Sequence, residues 1–471
     1  MSRSSRGRRS VSSARASGIA VLIGTVLSIA ACRREEAKSP PPLPGEDDLY
    51  RYSLAIAERA RFFVGKDDPI ATYYLGKVHD RFGLEERAIA IYEQVIAQAP
   101  ETAEAHRDLA TILSNHSERM ADAIRHYQQS LTHDPDYPGV RTRIGMLLLH
   151  LGELDEAHAI LREEVERDTA DSVTWLHLGQ VENLRGSFDK AAANYRKALE
   201  LDPEMREALY GLARVLRATG DVEAATKADE RFRELKAKDD LRDIEIAKER
   251  KDSSEEERRN TALTWLDASQ LYLRETRKQG VTDVELWNAR ARDACANALR
   301  FDPTQVAAHR FILDWHLDRN ELARATSAAR QAVAAIPSHP YFRFELARLI
   351  TNDVRSENSK ESEGAIAEAI EHLRVAVESA EDFAPAHAEL ARVILFFQRK
   401  PELIREALHH AERALEISSM PEPLHFDLVS MGHFFLGNRD KACAALRKGC
   451  ETFPHDAGLR ARLAKLEGRS R

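Results

Sequence analysis

Five prolines fall on a common period: Pro100, Pro135 and Pro203 are 35 and 68 residues apart, and Pro303 and Pro337 are 34 apart. A chain repeating at this spacing stacks copies of one small unit. The clearest copy runs from Ser172 to Met205, SVTWLHLGQVENLRGSFDKAAANYRKALELDPEM. It carries two helical periods, Trp175-Leu178-Gly179 and then Ala191-Tyr195-Ala198, parted by a turn at Arg185-Gly186 and closed by Asp202-Pro203. Gly179 and Ala191 let the two helices approach, Trp175, Leu178 and Tyr195 fill the seam, and Pro203 stops the second helix. Each hairpin is left with a bare apolar face, so the next must stack on it.

This copy resembles the tetratricopeptide repeat, whose pattern is W-x2-L-G-x2-Y, then A-x3-F, then P over about 34 residues. The resemblance implies an all-α fold, an α-solenoid of stacked antiparallel helix hairpins. Within an N-terminal array over 49–239 the pattern gives units near 69–102, 103–137, 138–171, 172–205 and 206–239. A looser C-terminal array over 262–455 follows, with units near 262–305, 306–339, 340–383, 384–421 and 422–455. Ala291, Cys295 and Ala298 hold one of these together, Ala369, Leu373 and Ala376 another, and Ala442, Leu446 and Gly449 the last. RETRKQGVTD and TNDVRSENSKESEG read as insertions lengthening turns, and 456–471 as a capping helix with Leu459, Leu463 and Leu466 on the last repeat. Residues 240–261 form a charged linker or helix extension. The stretch 230–260 has only a thin apolar stripe, Phe232, Leu235, Leu241 and Ile246, so it extends the fifth unit and then becomes a flexible joint. A short partner-binding helix is the alternative.

The chain begins differently. Residues 1–31 carry Arg3, Arg6, Arg8, Arg9 and Arg15, no acidic residue, and then the apolar run GIAVLIGTVLSIAA. That run suits a signal-peptide core of roughly 7–15 residues and is short of the ~20 that span a bilayer. Ile29-Ala30-Ala31-Cys32 resembles the lipobox of bacterial lipoproteins, which implies acyl chains on Cys32 and a protein fixed to a membrane of the cell envelope, facing the periplasm or exterior. The alternative is an uncleaved signal anchor. The lipidated cysteine and a proline-rich tether occupy 32–48, an extended spacer of at most roughly 50 Å at ~3.1 Å per residue.

Removing the five arginines of residues 1–31 takes the formal net charge from −8 to −13. So acidic a body argues against nucleic acid as a partner, because phosphate binding requires basic surface. Cys443 and Cys450 are seven apart on one expected helix, about 10.5 Å along its axis and beyond the ~7 Å bridging limit. With Cys295 they read as small core residues. Of 18 histidines only His409 and His410 are adjacent, no two stand three or four apart on a helix, and H-E-x-x-H is absent. Phosphate-binding glycine loops and G-x-S-x-G are absent too. The expectation is therefore a chain that is not an enzyme and has no cofactor or metal.

Such arrays offer a groove. In the family the second, fifth, ninth and twelfth positions of each first helix meet the ligand. These positions and their neighbours here are Tyr73, Lys77 and Arg81; Arg107, Thr111 and Asn115; Arg143, Met146 and His150; His177, Gln180 and Asn183; and Tyr210, Arg214 and Arg217. The set is polar and basic, and arginine and tyrosine are common interface anchors. The expected ligand of repeats one to five is an extended acidic or C-terminal peptide segment, with the arginines pairing to neighbours such as Glu104 and Asp108 as the competing reading. The function these features imply is a membrane-tethered scaffold or adaptor for protein partners. The alternatives are a structural part of an exopolysaccharide or outer-membrane assembly apparatus, and an enzyme with an unfamiliar site near 230–305.

Overall fold

The computed structural model describes residues 39–167, 171–249, 253–356, 362–398 and 400–468. The expected signal at 1–31, the acceptor Cys32 and the start of the tether lie outside them, as do residues 250–252 of the charged linker and 357–361 of the second insertion. Among the described residues the backbone forms 22 α-helices and no strand, the all-α solenoid architecture the repeat implies. The chain packs as two units, Met1–Glu257 and Arg258–Arg471.

In the first unit α1 (Leu49–Val64) precedes five hairpins. These are α2 (Pro69–Arg81) with α3 (Glu85–Gln98), α4 (Ala103–Leu113) with α5 (Met120–His133), and α6 (Val140–Leu151) with α7 (Leu154–Glu166). α8 (Ser172–Leu184) with α9 (Phe188–Leu201) and α10 (Arg206–Thr219) with α11 (Val222–Glu249) complete them. α12 (Ser253–Thr276) runs into the second unit, where α13 (Val284–Phe301) meets it through Trp287 on Tyr272. There follow α14 (Val306–Asp318) with α15 (Leu322–Ala335), α16 (Pro340–Ser356) with α17 (Ser362–Ser379), and α18 (Ala384–Phe397) with α19 (Pro401–Ile417). α20 (Pro423–Phe435) with α21 (Arg439–Thr452) and the final α22 (Ala457–Leu466) end the chain. First helices of successive hairpins touch, α6 to α8 to α10 and α16 to α18 to α20, which is how hairpins stack into a solenoid.

The local signals are simple. Asp68, Asp171 and Asp456 cap α2, α8 and α22, each carboxylate accepting a backbone N–H of the first turn. Several turns inside hairpins use one left-handed residue, such as Gly186 at φ +76° between α8 and α9 and Asn320 at φ +54° between α14 and α15. The seam between paired helices is closed by a fully buried aromatic: Tyr92, Tyr127 and Tyr195 are 0 %, 0 % and 2 % exposed. A Cβ on Gly179 would lie 2.7 Å from the Tyr195 ring. α1, to which the repeat pattern gives no partner, closes the N-terminal end by packing Ala57 on Leu75 and Val78. At the other end Leu459, Leu463 and Leu466 pack on Phe426 and Leu446.

The described part of the tether is not wholly solvated. Pro40, Pro41 and Leu43 are half-buried, and the Arg59 guanidinium of α1 donates to the Pro41 carbonyl at 3.1 Å. Among the described residues no helix is long and apolar enough to cross a membrane. Cys295, Cys443 and Cys450 are free thiols, and burial pushes Cys295 up to about 11.

A second kind of link ties hairpins together. At the fourth residue of a first helix, His106 Nε2 bonds the carbonyl of Pro100 (3.0 Å), His309 that of Pro303 (2.8 Å) and His387 that of Glu381 (3.2 Å), while Arg343 Nε donates to Pro337 at 2.6 Å. In three of the four, the side chain's other nitrogen meets an imidazole on the second helix of the hairpin. His106 Nδ1 lies 3.1 Å from His126 Nδ1, His387 Nδ1 lies 2.9 Å from His410 Nδ1, and Arg343 Nη1 lies 2.7 Å from His372 Nδ1.

The seam predicts an inverted response to Gly→Ala. In a helix interior the change ordinarily stabilises by about 0.5–1 kcal/mol, but at Gly179 the overpacking cost of about 1–3 kcal/mol dominates. Gly179→Ala should therefore lower protection of α8 and α9 amides in hydrogen exchange, whereas Gly364→Ala, with no atom within 4 Å of the added Cβ, should not destabilise α17.

Candidate functional site

Helix packing consumes the apolar stripes, which leaves the exposed positions of the first helices to meet a partner. In the first unit those helices are α2, α4, α6, α8 and α10, and the structure divides the expected groove residues sharply.

Tyr73 of α2 is only 5 % exposed and its hydroxyl donates to Asp108 Oδ2 of α4 at 2.6 Å. Burial, reinforced by the Asp108 carboxylate, holds its phenol well above the usual range. The expectation that Tyr73 faces a ligand is thus corrected: its ring fills the junction between two hairpins. Arg107 donates from Nε to Asp108 Oδ1 at 2.6 Å, bonds the Tyr137 hydroxyl and stacks 4.9 Å over that ring. Burial opposes its charge, yet Asp108 outweighs this and raises its pKa. Thr111 is turned inward to the Arg107 carbonyl and the Tyr127 hydroxyl. Arg217 pairs with Asp229 of α11. Lys77 lies 5.7 and 5.4 Å from the rings of Tyr73 and Tyr74. His177 bonds Gln180 at 3.0 Å and is pushed down by burial. Arg81, Met146 and Asn183 are half-buried.

Asn115, Arg143, His150, Tyr210 and Arg214 remain exposed, with Tyr210 51 % exposed and the Arg214 guanidinium 6.0 Å from its ring. These five do not converge through any described contact except the Tyr210–Arg214 pair. Asp108 pairs with Arg107 as the competing reading expected, and its second contact, with Tyr73 35 residues away, carries no sequence signal.

Concave space is found in the second unit, on the first helices of the looser series. A cavity of about 640 Å³ is walled by Arg310, His339, Tyr341, Phe344 and Phe383, with Phe344 and Phe383 edge to face at 5.4 Å. It shares Phe344, Asp382 and Pro385 with a second cavity of about 490 Å³, reaching Arg348, Glu389, Met420 and Leu424. Arg348 also borders a third of about 260 Å³, with Glu345, Asn352 and Arg392. Several polar groups here are paired, Tyr341 donating to Asp314 at 2.8 Å, Arg348 to Glu345 at 2.9 Å and Arg392 Nε to Glu389 at 2.7 Å, whereas the buried His339 Nδ1 has no hydrogen-bond partner among the described residues. Burial raises the Glu345 carboxyl. Tyr341, Phe344 and Arg348 occupy the second, fifth and ninth positions of α16. The positional rule used for the first unit finds them once it is extended to the second series.

No group of three or more His, Cys, Asp and Glu suited to a metal ion is present among the described residues.

Comparison with known proteins fits this geometry in the first unit. Two family profiles, each described as tetratricopeptide repeat, match residues 73–138 and residues 115–173 with 184–238. That stretch therefore carries tetratricopeptide repeats. The chain is 27% identical over 135 residues to the general transcriptional corepressor ssn6 of Schizosaccharomyces pombe, covering 28% of this chain and 12% of that one. It is 26% identical over 135 residues to the human protein O-mannosyl-transferase TMTC3, covering 28% and 15%. To the Hsp70-Hsp90 organizing protein 2 of Arabidopsis thaliana it is 26% identical over 129 residues, covering 27% and 22%. It thus spans less than a quarter of each relative's length. Among solved structures, MamA of Desulfovibrio magneticus RS-1 aligns at 20% identity and TM-score 0.34 over 36% of this chain and 97% of that one. A thermophilic TPR protein of Thermus thermophilus aligns at 21% and 0.30, over 42% and 98%.

Asp108→Ala strips a shared carboxylate from Tyr73 and Arg107 and should destabilise the α2–α5 region by about 1–3 kcal/mol. Arg143→Ala, at an exposed position, should stay within about 0.5 kcal/mol. Hydrogen exchange of α2 and α4 in the full chain distinguishes the two.

Proposed function

We propose that this chain is a lipid-anchored, non-catalytic scaffold of a bacterial cell envelope, which holds protein or peptide partners on the first-helix faces of its hairpins. The observation that carries the reading is the open, aromatic and arginine-lined space along α14, α16, α18 and α20. Cavities of this size, apolar-walled with a few fixed polar groups, suit side chains of an extended segment. Phe344 is the shared wall of two of them, so one peptide would place successive side chains on either side of it. In the first unit the exposed Arg143, Tyr210 and Arg214 offer donors for an acidic segment.

Anchoring rests on LSIAAC: an apolar run, two alanines and Cys32. Two or more acyl chains on that thiol would hold the body at a membrane, whereas one chain gives only marginal binding.

Full-length protein in its own membranes, carrying a photo-crosslinker at Phe344 or Tyr210, should capture a discrete envelope protein identified by mass spectrometry. Arg348→Glu should cut the yield at Phe344 several-fold. Labelled palmitate should enter the wild type and not Cys32→Ser. Crosslinks confined to the second helices would overturn the groove assignment, and an unlabelled wild type would overturn the anchor.

A further inference from the structure

Three hairpins are closed by nitrogen-to-nitrogen contacts in which one imidazole Nδ1 must stay bare. A carbonyl only accepts, so the Nε2 of His106 and of His387 bears the hydrogen in the bonds to Pro100 and Glu381. In the neutral ring Nδ1 is then bare and accepts from the Nδ1–H of His126 or His410. One added proton can be accommodated on the second-helix ring, whose Nε2 is bare, with this bond kept. A second would set N–H against N–H. The Arg343 clip is stricter: guanidinium always donates, so His372 Nδ1 must be bare. Each closed clip therefore excludes at least one proton that the same side chains accept when the hairpin is open.

The surroundings compensate only in part, because neighbouring positive charge accompanies each carboxylate. Facing His106 and His126 are His133, Arg119, Arg125 and Asp122, and Asp122 is already paired with Arg125. Facing His372 are Arg343, Arg330 and Glu368; Glu368 lies 3.6 Å from His372 Nε2 but is also held by Arg330 at 2.6 Å. Facing His387 and His410 are His409, Arg413, Glu381, Arg374 and Glu406, and Arg374 holds Glu406 through two bonds of 2.7 and 2.9 Å. On the second helices the nearest carboxylates are thus each matched by an arginine. Glu381 faces His387 with its backbone carbonyl, which the ring's Nε2 already bonds.

We infer that these three contacts are acid-opened clips, which hold α4 to α5, α16 to α17 and α18 to α19 at neutral pH and release them on acidification. Burial first, then neighbouring positive charge, lowers the paired histidines, with His410 at about 4. The sign follows. An open hairpin titrates near the ordinary ~6.5, so below that pH it binds more protons than the closed one, and closure weakens as pH falls toward about 4.

Hydrogen exchange on the full chain at pH 7 and pH 5, corrected for intrinsic rates, tests this. The α10–α11 hairpin contains no histidine and serves as the internal reference. Protection in the three clipped hairpins should fall about tenfold relative to it, as expected for one excluded proton each. His126→Asn and His410→Asn place there an amide that can turn its oxygen to accept from a protonated His106 or His387, so the closed hairpin no longer excludes a proton. They should abolish the acid response in α4–α5 and α18–α19 and leave it in α16–α17. Equal behaviour of clipped and reference hairpins in the wild type overturns the inference, as do asparagine variants that open in acid like the wild type. If those variants fail to fold, the wild-type comparison decides alone.

Discussion

The distance between the two helices of a hairpin governs everything else in this molecule. Tyr195 shows how. Its ring sits where a Cβ on Gly179, in its own hairpin, would come within 2.7 Å, and its Cζ lies 2.5 Å from where a Cβ on Gly211, in the next hairpin, would stand. One side chain thus sets both the spacing within a unit and the step to the following one. Interiors at crystal-like density do not absorb an extra methyl at such a point, so the step is inherited from hairpin to hairpin. Tyr92 against Gly76 and Leu161 against Gly145 repeat the contact within the hairpin.

The second unit solves the same problem with different letters. Ala347 and Ala391 stand where the first unit has glycine, and Ala325, Ala369, Ala407 and Ala442 line the facing helices, all fully buried. Small side chains preserve the close approach, while larger neighbours such as Phe342 and Leu346 fill the seam. The physical requirement is smallness at one position and bulk at another, and several residue types satisfy it. Tetratricopeptide profiles accordingly match within 73–238, although hairpins continue to α21.

Helix order was legible because prolines, capping aspartates and turn residues mark ends directly. The candidate site was legible only in part, and each failure has a geometric cause. Tyr73 occupies a position that faces outward in an isolated hairpin, but Asp108 on the next first helix draws its hydroxyl into the junction. The large cavities went unnoticed because they belong to units whose motif letters are degraded, although Tyr341 and Phe344 stand at the expected ligand-facing positions. Spacing that places two histidines on one helix face is blind to the pairs formed here. His106 and His126 are 20 apart, and His387 and His410 are 23 apart, so only a closed hairpin brings them together.

Why a histidine or arginine recurs at the fourth residue of a first helix follows from the turn before it. A helix end leaves carbonyls without intrahelical partners, and the connection must supply donors for them. Proline, which ends several of these repeats, has no N–H to offer. A side chain with two nitrogens solves this by satisfying the carbonyl of the preceding repeat with one and reaching the second helix of its own repeat with the other. The junction between repeats and the closure of a hairpin are then a single hydrogen-bonded unit. His106 is also followed directly by Arg107 and His387 by Ala388, which lines the second cavity, so a change at the junction is one residue from the faces that present ligand-facing side chains. Apolar packing in the cores of these hairpins involves no group that titrates below neutral pH and does not itself respond to acidification. The polar junctions between them are where a change of protonation acts.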